Sequence, residues 1–189
     1  MSSGRIEQWN QRYRAGEQVF RQPSPLVVEY TRQLAPGSAL DLASGPGRNA
    51  LYLAGQGWQV TALDGSSVAI AILQAQARKQ SLIIDARVAD LEAGEFNLEN
   101  HACDLLLSCY YFQRGLITGI KSSLQPGGLL IAITHLTGTE LPQGTATRAY
   151  PGELRDLFGS WDILHYREGQ PGESCHRLAV AALVARKPV

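Results

Sequence analysis

The chain has 189 residues, 44% of them hydrophobic and 18% charged, which suffices for one well-buried core and is too short for two ordinary domains. Seventeen basic residues balance seventeen acidic ones, so no global field draws the protein toward polyanions or anionic membranes. The longest apolar runs, such as 128–134, fall far below the roughly 20 residues of a bilayer span, and the polar start from Met1 to Phe20 is unlike a signal peptide, so a cytoplasmic protein is expected.

In chain order, two segments around Ile6 to Arg14 and Pro25 to Leu34 read as helices, the second with a proline at its start. They either cap a sheet or cover a ligand. Beyond them, apolar runs of four to eight residues alternate with amphipathic stretches of ten or more, the pattern of a parallel sheet with helices on both faces. Strands are expected at Ser38 to Ala43, Gln59 to Leu63, Ile83 to Val88, Asp104 to Cys109, Leu129 to Thr134, Trp161 to Arg167 and Arg177 to Arg186. The helices between them fall at about Arg48 to Gln56, Ser67 to Gln80, Arg114 to Ser123 and Gly152 to Phe158. Only Glu168 to His176 separates the last two strands, with Gly169, Pro171 and Gly172 in the gap, so that pair must be antiparallel. This is an α/β chain with a terminal β-hairpin.

The stretch ALDLASGPGRNALYLAGQGWQVTALDGS, from Ala39 to Ser66, runs strand, glycine loop, helix, strand and acid. Gly45 and Gly47 allow a sharp turn and close approach of a ligand, while the helix from Arg48 offers free N–H groups and a positive dipole end to an anionic group. Ligands of such sheets sit at the carboxyl ends of the strands. Asp64 closes the second strand, where a carboxylate can accept hydrogen bonds from both ribose hydroxyls; capping the helix after Gly65, Ser66 and Ser67 is its blander use. The glycines alone do not choose a ligand, because Gly45, Gly47 and Ala50 also satisfy the GxGxxG/A spacing of NAD-binding sheets. Three features favour a cationic aminoacyl nucleoside instead. Asp41 lies inside the first strand, where a dinucleotide site wants an apolar residue. Pro46 has no N–H to give a phosphate. Ala89, Asp90 and Leu91 follow the third strand and put a second acid in reach of an adenine amine.

On these residues the chain resembles the class I S-adenosylmethionine-dependent methyltransferases. The Asp41 to Gly47 loop is similar to that superfamily's first motif, Asp64 to its ribose-binding acid, Ala89 to Leu91 to its adenine-side motif, and Leu124 to Leu130 (LQPGGLL) to its turn into the fifth strand. The resemblance implies a Rossmann-like, seven-stranded, mostly parallel sheet with an antiparallel last strand and helices on both faces. The opening WNQRY at Trp9 to Tyr13, the run GRNALYLA, and PGELRDLF followed by WDILHYREG are more specifically similar to the tellurite-resistance and thiopurine-methyltransferase-like group. A single domain over 1–189 is implied: N-terminal helices over the cofactor site (1–36), a cofactor-binding half (37–135) and a substrate-side half with the terminal hairpin (136–189). Asp41, Ala43, Gly45, Gly47, Asn49, Asp64, Gly65, Ser66, Ala89, Asp90, Leu91 and Ser108 are the expected cofactor residues. Trp9 and Tyr13, one helical turn apart, either pack on the sheet or close over the cofactor.

Methyl transfer from a sulfonium needs donor and nucleophile in line at about 3 to 3.5 Å, with water excluded, and a base only if the acceptor arrives protonated. A small-molecule acceptor such as a thiol or a chalcogen oxyanion is expected beyond the fourth and fifth strands. Tyr111 and His135 are the candidate positioning or basic residues, and Tyr110, Phe112 and Arg148 the candidate substrate contacts, though a Tyr-Tyr-Phe run also suits core packing. Arg155 and Arg167 could likewise meet an anionic acceptor. No metal is expected: His101 and Cys103, with Cys175 and His176, lack compact ligand spacing, and Cys103, Cys109 and Cys175 suit no disulfide framework. No Asn-Pro-Pro-Tyr type motif stands at Ser108 to Phe112, so nucleic acid is not an expected partner; with balanced charge and short apolar runs a membrane is not expected either, and a monomer or homodimer is expected. The rival functions are a non-catalytic S-adenosylmethionine-binding module and an NAD-dependent oxidoreductase.

Overall fold

A computed structural model describes residues 3–17, 20–137, 147–173 and 178–189. Six α-helices and seven β-strands are assigned among them. In order they are α1 (Ser3–Arg14), α2 (Pro25–Thr31), β1 (Ser38–Leu42), α3 (Arg48–Gly55), β2 (Gln59–Asp64), α4 (Ser67–Lys79), β3 (Ile84–Val88), β4 (Cys103–Cys109), α5 (Ile117–Ser123), β5 (Leu124–His135), α6 (Glu153–Leu157), β6 (Asp162–Gly169) and β7 (Val180–Arg186). The strands are ordered β3-β2-β1-β4-β5-β7-β6 in one seven-stranded sheet. No helix among the described residues is long and apolar enough to cross a membrane.

The chain divides into two compact units, Met1–Asn97 and Leu98–Val189. The division falls before β4.

In the first unit β1 pairs parallel with β2, and β2 with β3. Ala39, Leu40 and Leu42 of β1 and Val60, Ala62 and Leu63 of β2 are all buried, so these strands read as continuous apolar runs with both faces covered. β3 is the exposed edge, and its Asp85 and Arg87 pair at 2.6 Å, a charged edge that discourages pairing with another chain. Ser66 starts α4 as its N-cap, its Oγ accepting from the Ala69 N–H at 3.1 Å. Asp64 is therefore not the cap.

In the second unit β4 and β5 run parallel, and β7 lies antiparallel to both β5 and β6. The expected hairpin and antiparallel last strand are both found, although the expected start of that strand, at Arg177, lies outside the described residues. β5 begins at Leu124, five residues before the expected Leu129. Leu124 pairs with Cys103, and the register then shifts before Leu105 meets Leu129, so the Pro126–Gly127 turn is a bulge inside a strand. Lys187 secures this corner, its Nζ donating to the carbonyls of Lys121 and Leu124 at the end of α5. The helix expected from Arg114 opens as a 3-10 turn over Arg114–Leu116 before α5 proper.

Candidate functional site

The first unit gathers the residues of the glycine loop at the carboxyl ends of β1 and β2. After Leu42 the backbone enters the left-handed region at Ala43 (φ 51°), Gly45 (φ 56°) and Gly47 (φ 86°). The two glycines answer different demands. A Cβ on Gly47 would lie 2.2 Å from Cδ1 of Leu73, so this glycine is required by the packing of α4. A Cβ on Gly45 would stand 3.1 Å from the Tyr13 hydroxyl, so here the open space belongs to α1. Ala43 accepts the same conformation with a Cβ in place, at a cost of about 1–2 kcal/mol.

Two carboxylates face this loop. Asp64 is 6% exposed; its Oδ2 accepts from the Gly45 N–H at 2.8 Å and its Oδ1 from the Ser66 N–H at 2.7 Å. It thus ties the loop to the end of β2, while each oxygen keeps a second lone pair for a ligand hydroxyl. Burial holds its pKa above the usual carboxylate range despite these two bonds. Asp41 is 2% exposed and accepts from the Ala50 N–H, and its Oδ2 has no hydrogen-bond partner among the described residues. Burial pushes its pKa up to about 7, against the Arg48 charge and with the help of Asp64. A buried carboxylate oxygen without a donor is the feature a cationic ligand group would satisfy.

Helix α1 lies on this loop. Asn10, buried between Trp9 and Tyr13 in sequence, accepts at Oδ1 from the Ser66 hydroxyl at 2.6 Å and from the Val68 N–H at 3.4 Å, pinning α1 to the first turn of α4. Trp9 and Tyr13 stack at 5.6 Å, and burial followed by the Asp64 charge raises the Tyr13 phenol. Tyr13 lies over the Gly45 turn. Gly65 is buried in the turn between Asp64 and the Ser66 cap. On the next strand the Ala89 N–H donates to the Asp64 carbonyl at 2.9 Å, which sets Asp90 at the same end of the sheet. Asp90 Oδ1 accepts from the N–H groups of Glu92 and Ala93 and closes the turn after β3, while Ala89 and Leu91 are buried. Asn49 is buried in the first turn of α3, where its Oδ1 accepts from the Ser24 N–H at 2.9 Å. Sequence reading missed Asn10 and Ser24; the signal for Asn10 was its place inside WNQRY, and for Ser24 the serine directly before Pro25.

The second unit holds the remaining candidates. Tyr110 sits at φ 62°, a strained position for a tyrosine. Its N–H donates to the Ile133 carbonyl at 2.6 Å, its hydroxyl to Glu173 at 3.0 Å, and its ring lies 5.4 Å from that of His135. Burial, and then the Arg148 charge, hold the His135 pKa below its ordinary value, which favours the neutral imidazole. Ser108 gives its hydroxyl to the Tyr111 carbonyl at 2.9 Å, and with Tyr111 and Phe112 it lines a small apolar cavity over Leu130 and Ile120. Phe112 is buried beneath the Arg114 guanidinium, which also covers Tyr150 and makes two short bonds to Glu153, at 2.5 and 2.6 Å. Arg148 enters this cluster through its carbonyl, which accepts from Arg114 at 3.2 Å. Arg155 is exposed beside Asp156. No group of three metal-binding side chains occurs among the described residues. Cys103 is buried with its thiol directed to the Ser123 carbonyl, and burial raises its pKa to about 12; Cys175 and His176 lie outside the described residues.

The family model described as tellurite resistance protein TehB matches residues 12–178. The probable S-adenosyl-L-methionine-dependent methyltransferase TehB of Haemophilus influenzae is 28% identical over 177 residues, covering 85% of this chain and 61% of the relative. Hemagglutinin 1 of Eikenella corrodens is 27% identical over 148 residues, covering 75% of this chain and 49% of the relative. The chain therefore spans about half to three fifths of the length of the curated relatives it matches. Among solved structures, TehB from Haemophilus influenzae superposes with a TM-score of 0.76 at 24% identity, covering 94% of this chain and 67% of that one. The 1,6-didemethyltoxoflavin-N1-methyltransferase of Burkholderia thailandensis, solved with bound 1,6-didemethyltoxoflavin and S-adenosylhomocysteine, gives a TM-score of 0.69 at 16% identity, covering 97% of this chain and 87% of that one. At such identities the structural likeness speaks for the fold.

Proposed function

Because the chain belongs to the tellurite resistance protein TehB family, we propose that it binds S-adenosyl-L-methionine on the Asp41–Gly47 loop and transfers the methyl group to a small-molecule acceptor. The observation that carries the reading is Asp41, a buried carboxylate with one oxygen lacking a donor, set directly before the glycine turn. A pyrophosphate brought to the same loop would meet that carboxylate and, at Pro46, a residue without an N–H, so the GxGxxA spacing does not favour NAD. The aminoacyl nucleoside fits the polar groups present: Asp41 accepts from the α-ammonium, the remaining lone pairs of Asp64 accept from the ribose hydroxyls, and Asp90 with Ala89 and Leu91 borders the adenine.

When bound, the sulfonium supplies an already activated methyl group. The protein's part is then to orient, to exclude water and to manage one proton. We assign Tyr111 and Phe112 to walling the acceptor, Tyr110 and Arg148 to holding its polar end, and neutral His135 to removing a proton from acceptors that arrive protonated. A thiol, a chalcogen oxyanion or a similar small nucleophile suits this set. The same reading takes the protein as cytoplasmic and a monomer or homodimer, and its balanced charge supports action without nucleic acid or an anionic membrane. Purified protein incubated with methyl-labelled S-adenosylmethionine and a panel of thiols, oxyanions, amines and carboxylates tests it. Label should appear in at least one small product and fall at least tenfold with His135→Ala for an acceptor that must lose a proton. Binding without transfer to any acceptor would instead indicate a non-catalytic cofactor-binding module.

A further inference from the structure

The loop before α2 carries a second buried polar group that the fold does not use. Ser24 occupies the N-cap position of α2, where a serine hydroxyl ordinarily accepts a hydrogen bond from the helix's first N–H groups, yet no such bond is made. Ser24 is 1% exposed, and its Oγ has no hydrogen-bond partner among the described residues. Its backbone N–H donates to Asn49 Oδ1 at 2.9 Å. Asp41, the other buried side chain of this unit with an oxygen left over, accepts from the N–H of Ala50. Ser24 and Asp41 are thus fastened to consecutive residues in the first turn of α3, and their two unused polar atoms differ in kind. One is a hydroxyl able to donate; the other is a carboxylate oxygen that can only accept while ionised.

An α-amino acid group presents the complementary pair, an ammonium donor and a carboxylate acceptor on one carbon. Resting on the cofactor reading above, we infer that Ser24 is a binding residue for the carboxylate of the cofactor's aminoacyl arm, with Asp41 taking the ammonium of the same arm. A purely structural serine would show a cap bond, and a serine placed only for its small size would not need a hydroxyl in a dry environment. Both alternatives predict a different response to removing the oxygen.

The test is the affinity of wild type, Ser24→Ala and Ser24→Thr for three nucleosides: S-adenosylhomocysteine, its decarboxylated analogue, and 5′-methylthioadenosine, which lacks the whole arm. Thermal unfolding of the ligand-free proteins is measured alongside. Ser24→Ala should weaken S-adenosylhomocysteine by about tenfold or more, the fold-change of one hydrogen bond to a charged group, and leave the other two within about twofold. Ser24→Thr should restore most of the loss, and the melting temperature of ligand-free Ser24→Ala should hold or rise. Unchanged affinity for S-adenosylhomocysteine, an equal loss for all three nucleosides, or a lowered melting temperature with no selective loss would overturn the assignment of Ser24 alone. If the wild-type protein binds none of the three, the cofactor reading falls and takes this inference with it.

Discussion

Two partly or fully buried charged groups, one in each unit of the chain, are treated in opposite ways. In the second, the Arg114 guanidinium lies between two aromatic rings and gives paired short bonds to Glu153, whose Oε2 also accepts from the Tyr150 N–H. That charge is spent on holding the segment before α6 in place. In the first, Asp41 is buried with half its carboxylate unanswered, and Asp64 accepts from two backbone donors, among the described residues. A charge answered inside the chain builds structure, whereas one left partly unanswered lowers the stability of the ligand-free protein and, on the function proposed above, is answered by the bound cofactor.

Substitutions can break or sharpen this contrast. The largest effect is expected at Gly47→Ala, where a Cβ would collide with Leu73 in a left-handed backbone; equilibrium denaturation should show a loss of about 3 kcal/mol. Asp41→Asn should separate the two uses of charge. It should weaken S-adenosylhomocysteine about a hundredfold, as expected for losing an ionic contact in a buried site, while stabilising the ligand-free protein above pH 7.

The pH dependence follows from the same carboxylate. Its folded pKa of about 7 lies above the unfolded value of 3.8, so the folded chain holds the proton more tightly. Asp41 therefore contributes stability that is present at low pH and lost as the pH rises from about 4 to about 7. Cation binding has the opposite sign, because it requires the ionised form. The dissociation constant of S-adenosylhomocysteine should rise by up to about tenfold for each pH unit below 7, and titration calorimetry of Asp41→Asn should show this dependence flattened.

By comparison, Arg114→Ala in the second unit should cost about 1–2 kcal/mol of stability, reduced by the partial exposure of the pair, with little change in cofactor affinity. The smallest effect is expected at Ala43→Gly, which relieves the left-handed strain at φ 51° but loosens the unfolded chain. Thermal unfolding should move upward by no more than a few degrees.

The regular part of the fold was legible because it is written in period and punctuation. Continuous apolar runs marked β1, β2 and β4, and the short gap after Glu168 forced the antiparallel pair. β5 was misjudged at its start because Pro126 and Gly127 read as a turn leading into the strand, while pairing of Leu124 with Cys103 carries the strand through it as a bulge. Asp41 was legible as an acid inside the first strand, Asp64 as the acid closing the second and Asp90 as the acid after the third. The reason for Gly47 was not, since Leu73 is 26 positions away in sequence and only the packing of α4 brings it to the turn. Asn10 and Ser24 escaped for the same reason: each is a common polar residue whose meaning lies in a partner on another element, Ser66 for one and Asn49 for the other.

The claim that this loop is built for a cationic aminoacyl nucleoside is tested most directly by calorimetric titration of the purified protein with S-adenosylhomocysteine and, separately, with NAD at pH 8. One saturable site per chain for S-adenosylhomocysteine and no detectable heat with NAD is the expected result. Saturable binding of NAD, or no binding of S-adenosylhomocysteine, would contradict it.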